Sequence, residues 1–279
     1  MLNSEFRLLT IFLLLITFFG GSCFARTDKY SLKEFEKRFQ QVKFNYKIAV
    51  NNLKYVERKA DYDQYFEDKV LGYAFHCFEK NKKYFLGAEK KFSVSKFVIL
   101  AVLTVESYCG HYVPKYNLGE VFKTLITLKK GNSTLVNKVY KKVTKKYPYI
   151  KRAWFEKRLK KKCKWAGVQL NALRKIFTQY KIDIFNVRSS WAGAFGLPQF
   201  LPTTFLYYAV DGNNDGKIDL WSMPDAIFSI ANYFRENGWK EYHGKDRKIK
   251  QIFKYNHSKL YSKVIYELSE LYRKEKGEF

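Results

Sequence analysis

The segment Ser95-Lys96-Phe97-Val98-Ile99-Leu100-Ala101-Val102-Leu103-Thr104-Val105-Glu106-Ser107-Tyr108-Cys109-Gly110-His111-Tyr112 decides how the rest of the chain is read. From Phe97 to Val105 only Thr104 is polar, so no solvated stripe can be drawn at helical period. A helix that is apolar on every side belongs in a core. Ser93 or Ser95 can cap its start by accepting a backbone N–H bond, and Gly110 is placed to stop it. Glu106, at the far end, then sits where water is scarce. Desolvation disfavours the charged carboxylate, which raises its pKa toward neutrality and leaves it able to donate a proton. The ordinary alternative is a surface glutamate, or one paired with a lysine.

With 279 residues the chain is long enough to bury a sizeable core, and 47% hydrophobic residues exclude wholesale disorder. The 25 Phe and 22 Tyr supply core volume and flat surfaces on which ring-shaped ligands stack. Lysine and arginine outnumber acids 52 to 26, a formal charge of +26 that favours an anionic partner: nucleic acid, an anionic membrane surface or an acidic wall polymer. Leu8 to Phe19 is an apolar run of 12, short for a bilayer span and suited to the core of a secretory signal. Two processing readings are open. Cleavage after Ala25 would release a soluble exported protein, whereas cleavage before Cys23 would leave a lipid-bearing cysteine as a membrane anchor.

Cys77, Cys109 and Cys163 are odd in number and widely spaced, which is neither a disulfide framework nor a metal cluster. One pair could close in an oxidising compartment; the simpler reading is buried thiols, with Cys109 used for packing. His76, His111, His243 and His257 form no zinc pair, and neither a phosphate-cradling glycine loop nor a nucleophile elbow occurs.

Helical spacing recurs on both sides of the core helix. Leu32, Phe35, Phe39, Val42 and Tyr46 predict one amphipathic helix over Ser31 to Val50, and Asp61 to Lys83 continues in the same style. Lys138 to Lys164 holds 13 Lys or Arg among 27 residues against one acid, Glu156, with Tyr147, Tyr149 and Trp154 interleaved. Such a stretch can bind bases or sugars through its rings and anions through its lysines, or be a solvated face over buried aromatics.

Ser190-Trp191-Ala192-Gly193-Ala194-Phe195-Gly196-Leu197-Pro198-Gln199 is almost uncharged and rich in small residues, which lets backbone approach another surface closely. Pro202 then starts a short helix to Ala209. Asp211-Gly212-Asn213-Asn214-Asp215-Gly216-Lys217-Ile218-Asp219 places oxygen ligands at positions 1, 3, 5 and 9 with glycine at 6, the pattern of a calcium loop. Position 12 is Ser222, not the usual glutamate, and Asp225 could supply the missing carboxylate. The competing reading is an Asn/Gly turn whose side chains bond only backbone. Ser222 with Asp225 also resembles a capping box, Pro224 fits a first helical turn, and Gly238 closes the helix that follows. A last helical region from Ile249 to Leu271 breaks near His257 and Ser258.

Val105-Glu106-Ser107 with Gly110, the Ser190 to Gln199 run, Tyr208-Ala209-Val210-Asp211 with its loop to Trp221, Ala231-Asn232-Tyr233-Phe234 and Tyr255-Asn256-His257-Ser258 with Tyr261 together resemble the membrane-bound lytic transglycosylase B family. The resemblance runs from about Asp61 to Tyr272. It departs at Cys109, where the family often has an aromatic or small polar residue, and in the unusually basic 138–164 stretch.

The resemblance implies an all-α fold: a lysozyme-like catalytic domain over residues 92–279, an N-terminal helical region over 26–91 after a leader over 1–25, and an EF-hand-like calcium loop. It implies cleavage of peptidoglycan between N-acetylmuramic acid and N-acetylglucosamine with a 1,6-anhydro product, Glu106 serving as acid and then base. Ser190, Gln199, Tyr255 and Asn256 would line the groove. Asp211, Asn213, Asp215, the Lys217 carbonyl and Asp225 would hold a structural Ca2+. The partners expected are glycan strands, not nucleic acid, for an exported monomer that is soluble or anchored through Cys23. Two rival readings are a hydrolase that uses water and a calcium-stabilised glycan-binding protein without turnover.

Overall fold

A computed structural model describes residues 28–54, 61–129 and 133–277; the leader, with Cys23 and Ala25, lies outside the described residues. Among the described residues the chain forms twelve α-helices and one pair of two-residue strands. In order these are α1 (Leu32–Gln41), α2 (Tyr46–Leu53), α3 (Asp68–Lys80), α4 (Lys82–Phe92), α5 (Lys96–Ser107), β1 (Tyr116–Asn117), α6 (Leu118–Lys129), α7 (Ser133–Lys146), α8 (Arg152–Gln179), β2 (Arg188–Ser189), α9 (Pro202–Tyr208), α10 (Met223–Glu236), α11 (Lys245–Tyr255) and α12 (Lys259–Glu275). The strands pair antiparallel, Tyr116 opposite Ser189 and Asn117 opposite Arg188. The all-α expectation holds.

The stretch from Phe97 to Val105 is the buried helix its composition requires, with Ile99, Ala101, Val102 and Leu103 wholly inaccessible. Each Ile, Val or Leu side chain so taken from water stabilises the fold by about 1.5–3 kcal/mol. Its start is fixed twice. Ser95 Oγ accepts from Phe97 N, and the Glu89 carboxylate of α4 accepts from both Lys96 N and Lys96 Nζ at 3.0 Å, a negative charge where the helix dipole favours one. Ser93 instead ends α4 in a left-handed conformation.

The helix stops at Ser107, three residues before the expected Gly110, because Tyr108 (φ 48°) and Cys109 (φ 53°) already turn left-handed and Gly110 (φ 94°) follows them. That conformation costs a non-glycine residue about 1–2 kcal/mol. Local contacts offset the cost: Ser107 Oγ accepts from Gly110 N, Tyr108 stacks on Tyr65 at 5.3 Å, and the Tyr108 hydroxyl donates to Gln64 Oε1 at 2.7 Å.

Helix α12 lies antiparallel along α5. The Tyr261 hydroxyl reaches Glu106, that of Tyr272 reaches Thr104 Oγ1 at 3.2 Å, and Arg273 reaches Ser95 Oγ. Thr104 and Ser107, both buried and polar, donate their hydroxyls to Leu100 O and Leu103 O, so the hydroxyls inside the helix are satisfied. Phe35, Phe39, Ile48, Phe78 and Phe85, from α1 to α4, belong to the same apolar core as α5 and α12.

Three local expectations are corrected. The amphipathic stretch Ser31 to Val50 is two helices, because Val42 is extended and Asn45 caps α2; Asn45 is also held from outside, its N–H to Thr124 and its amide to Glu120. The stretch Asp61 to Lys83 is a 3-10 turn at Asp63–Phe66 followed by α3, and Asn81 separates α3 from α4, a helix the periodicity did not reveal. Ser222 precedes α10 without a side-chain cap, so no capping box forms; Asp225 bonds the preceding loop instead.

The basic stretch folds as α7 and the first half of α8, which with α2 enclose a smaller core of Ala49, Leu53, Val139, Val143, Ile150 and Phe155. Lys138, Lys141, Lys142, Lys145 and Lys146 face water. The lysines thus form a solvated face, but those core residues are aliphatic apart from Phe155, and the interleaved Tyr149 and Trp154 stay 64% and 37% exposed.

The small-residue run packs as tightly as its composition allows. A Cβ on Gly193 would lie 2.4 Å from the Phe122 ring, and one on Gly196 (φ 75°) would lie 2.3 Å from Leu220 Cβ. Gly196→Ala combines backbone strain with overpacking and is expected to cost about 2–4 kcal/mol. For a chain of this size that lowers the melting temperature by roughly 5–10 °C. A calorimetric scan matching the wild type would contradict this packing.

Candidate active site

Glu106 occupies the last turn of α5, and the tyrosines around it come from three other segments. The Tyr261 hydroxyl, on the first turn of α12, donates to Glu106 Oε1 at 2.8 Å. Tyr261 is itself set by Ser258, whose Oγ accepts from Tyr261 N to cap the helix. Tyr62 meets the Tyr261 ring edge-on with centroids 6.5 Å apart, and Tyr65, in the 3-10 turn, donates its hydroxyl to Val105 O at 3.2 Å. Tyr255, at the end of α11, completes the surround; burial, and after it the charge of Glu106, holds the Tyr62, Tyr255 and Tyr261 hydroxyls protonated, and at Tyr65 burial and then Tyr108 act ahead of that charge.

Burial raises the Glu106 pKa from its ordinary 4.5 to about 7, against the Tyr261 hydrogen bond, which lowers it by favouring the charged form. Glu106 nonetheless keeps part of its surface accessible. The result is a carboxyl at the edge of the core that is half protonated near neutrality. No second carboxylate contributes to its shift.

The Ser190 to Gln199 run forms a wall near this carboxyl through Tyr255, whose hydroxyl donates to Pro198 O at 2.6 Å. The run folds back on itself: Ser190 Oγ accepts from Ala192 N and Ala194 N, and Phe195 and Phe200 exchange both backbone bonds. Gln199 is left-handed (φ 50°), with its amide donating to Gly196 O. Ser190 and Gln199 are partly accessible and Asn256 is exposed in extended backbone just after α11. Among the sequence-derived candidates, Tyr255 shares Glu106's surroundings; Ser190 is bound to its own turn. Tyr261 is the side chain that touches Glu106. Tyr62 and Tyr65 carry no sequence signal in a chain with 22 tyrosines.

The loop Asp211 to Asp219 lies beyond the wall. Asp211 accepts from Asp215 N and Gly216 N, Asn213 Oδ1 from Asp215 N, and Asp215 Oδ1 from Lys217 N. Asp225 does return to the loop as expected: it is buried and accepts from Gly212 N at 2.8 Å and Asp219 N at 2.7 Å. Gly212 has no room for a side chain, since a Cβ would lie 2.3 Å from Pro224 O. Burial raises the Asp225 pKa, and the nearby charges of Asp211 and Asp215 add to the rise against the two amide bonds. Among the described residues no three His, Cys, Asp or Glu side chains are drawn together as a ligand shell.

Comparison with known proteins adds the wider context. The chain is 51% identical over 57 residues to the membrane-bound lytic murein transglycosylase B of Escherichia coli strain K12, a segment that is 20% of this chain and 16% of that protein. The soluble lytic transglycosylase SltB1 of Pseudomonas aeruginosa superposes with a TM-score of 0.67 at 19% identity, covering 88% of this chain and 94% of that one. The Escherichia coli lytic transglycosylase Slt35 in complex with calcium does so with a TM-score of 0.61 at 18% identity, covering 85% and 86%. At these identities the likeness establishes the fold, the lysozyme-like one expected. The model of the transglycosylase SLT domain matches residues 23–251, and the chain belongs to that family.

Proposed function

We propose that this protein is a peptidoglycan lytic transglycosylase of the cell envelope, exported behind its leader, with Glu106 as its single acid and base. The observation that carries the reading is the Glu106 carboxyl itself, with a pKa of about 7 and one hydrogen bond from Tyr261. A glycosidase that uses water ordinarily needs two carboxyl groups, one of them to act as nucleophile or base. A single acid suffices when the substrate supplies its own nucleophile. Protonated Glu106 gives its proton to the bridging oxygen, and the C1–O bond of the muramic residue breaks as positive charge develops at C1. The substrate's acetamido oxygen stabilises that centre. The Glu106 carboxylate then takes the proton of the C6 hydroxyl, whose oxygen bonds C1 and closes the anhydro ring, so no water is consumed. Ser190, Gln199, Tyr255 and Asn256 line the groove in this reading, with Ser190 and Asn256 orienting the acetamido group or Glu106 and Gln199 bonding sugar substituents.

Ca2+ is the group the Asp211 to Asp219 loop suits, as a hard cation that takes oxygen donors. Asp211, Asn213, Asp215, the Lys217 carbonyl and Asp225 would hold it. What supports this is the donor set, together with the charges of Asp211 and Asp215, which act on buried Asp225 and which a divalent ion would offset. The ion would stiffen the loop behind the wall.

Digesting purified peptidoglycan and weighing the products decides the reaction. Anhydro ends are expected; reducing ends would make the protein a hydrolase, and tight binding without release would make it a glycan-binding module. Glu106→Gln is expected to lose activity by at least about 100-fold, since an amide delivers no proton. The same variant has a stability signature. Because the folded-state pKa lies above the ordinary 4.5, the native fold loses stability as pH rises from about 4.5 through 7, and below 4.5 the difference vanishes. Glu106→Gln is therefore expected to exceed the wild type by up to about 3 kcal/mol at pH 8 and to match it at pH 4, read by denaturant unfolding.

For the loop, Ca2+ at about 100 times its dissociation constant is expected to stabilise the protein by about 2.7 kcal/mol, and a chelator to reverse the gain. Asp211→Asn should abolish the thermal shift. A melting temperature indifferent to Ca2+ would return the loop to an ordinary turn.

A further inference from the structure

The catalytic reading leaves the lysine-rich lobe without a role, and its charge is not spread evenly. Between α2, α7 and β1 lies a groove of about 380 Å³ lined by Tyr46, Lys47, Asn51, Tyr116, Lys142 and Lys146. No acid lines it, and none of its three lysines forms an ion pair with a carboxylate among the described residues. Lys142 Nζ stands 5.1 Å from the Tyr46 ring centroid, and Asn51 donates to the Tyr116 hydroxyl, so one wall is aromatic and one end carries an amide oxygen. Three ammonium groups beside flat apolar faces match an extended peptide that carries carboxylates.

The groove is tied to the wall of the candidate active site through β1 and Asn52. Tyr116 pairs with Ser189, the residue before Ser190. Asn52, next to Asn51 and wholly buried, donates to Trp191 O at 2.8 Å, and Arg158 of α8 donates to Asn52 O at 2.8 Å. Trp191 is 39% exposed at that junction. A glycan strand held along the Ser190 to Gln199 wall would therefore pass this groove with its side branches. The anionic branches of peptidoglycan are its stem peptides, which carry free carboxylates.

We propose that Lys47, Lys142 and Lys146 form a subsite for the carboxylates of a peptidoglycan stem peptide, which makes the protein selective for peptide-bearing over bare glycan. The inference rests on the glycan reading above for the identity of the polymer. Membrane lipid is a different partner for the same charge; the groove's attachment to the active-site wall, and its size, favour the peptide.

The test uses the full chain with Glu106→Gln, so that binding is read without turnover, and compares it with the same chain carrying Lys47→Gln, Lys142→Gln and Lys146→Gln. The three lysines are exposed, so the charge changes leave the core intact, and circular dichroism verifies this. The probes are a disaccharide with its stem tripeptide and the same disaccharide stripped of peptide by an amidase, titrated calorimetrically at 50 and 200 mM salt. The lysine changes are expected to weaken the peptide-bearing probe about 10-fold at low salt and to leave the bare disaccharide unchanged. Equal weakening of both probes, or of neither, overturns the proposal. So does a loss confined to phosphatidylglycerol vesicles, which would assign the lysines to a membrane. Turnover of peptidoglycan by the native enzyme is scored separately: its absence would remove the transglycosylase reading while leaving this binding comparison decisive.

Discussion

The structure depends on holding one ionisable group at the end of a helix that has no other reason to meet water. Nine residues from Phe97 to Val105 anchor α5 in the core, and the carboxyl of Glu106 is carried to the edge of that core by the rigidity of the helix. Burial works against the charge and the Tyr261 hydroxyl works for it; burial is the larger influence. If the hydrogen bond were dominant, the group would be an ordinary carboxylate. If burial were unopposed, it would stay an inert acid. The balance leaves it able to exchange a proton near neutral pH.

Keeping that balance requires geometry imposed from a distance. The helix ends in consecutive left-handed residues, Tyr108, Cys109 and Gly110, that carry the chain abruptly away from Glu106. Tyr108 is locked by Gln64 and Tyr65, and Cys109 is buried beside Cys77 and Thr104, its thiol pushed well above its usual range chiefly by a hydrogen bond to Cys77 and by burial. Strain of this kind persists only where the surroundings over-determine it. The reading of Cys109 as a packing residue agrees with its burial among these groups.

The parts of the fold that were legible are those where composition leaves no alternative. A run with one polar residue can only be buried, and a Gly/Ala run with one left-handed glycine against Leu220 and another against Phe122 can only be a close contact. Helix breaks at Asn45 and Asn81 were not legible, because a distant Thr124 and Glu120 hold the first and the second interrupts a periodic pattern without a proline or glycine. The sequence offers Asp225 two roles, cap and loop ligand; in the fold its carboxyl accepts from Gly212 and Asp219, since Gly212 is pressed against the start of α10. The tyrosines around Glu106 stayed hidden for the opposite reason: in a chain so rich in aromatic residues, position in space alone distinguishes them.

The antiparallel seam between α5 and α12 has a consequence in time. Glu106 and Tyr261 are 155 residues apart in the chain, yet one hydrogen bond joins them. A nascent chain that ends before α12 possesses the acid but not the phenol that tempers it. The pairing that tempers the acid thus arrives late, with the docking of the final helix, and the chain stays without it until almost all of it has been made.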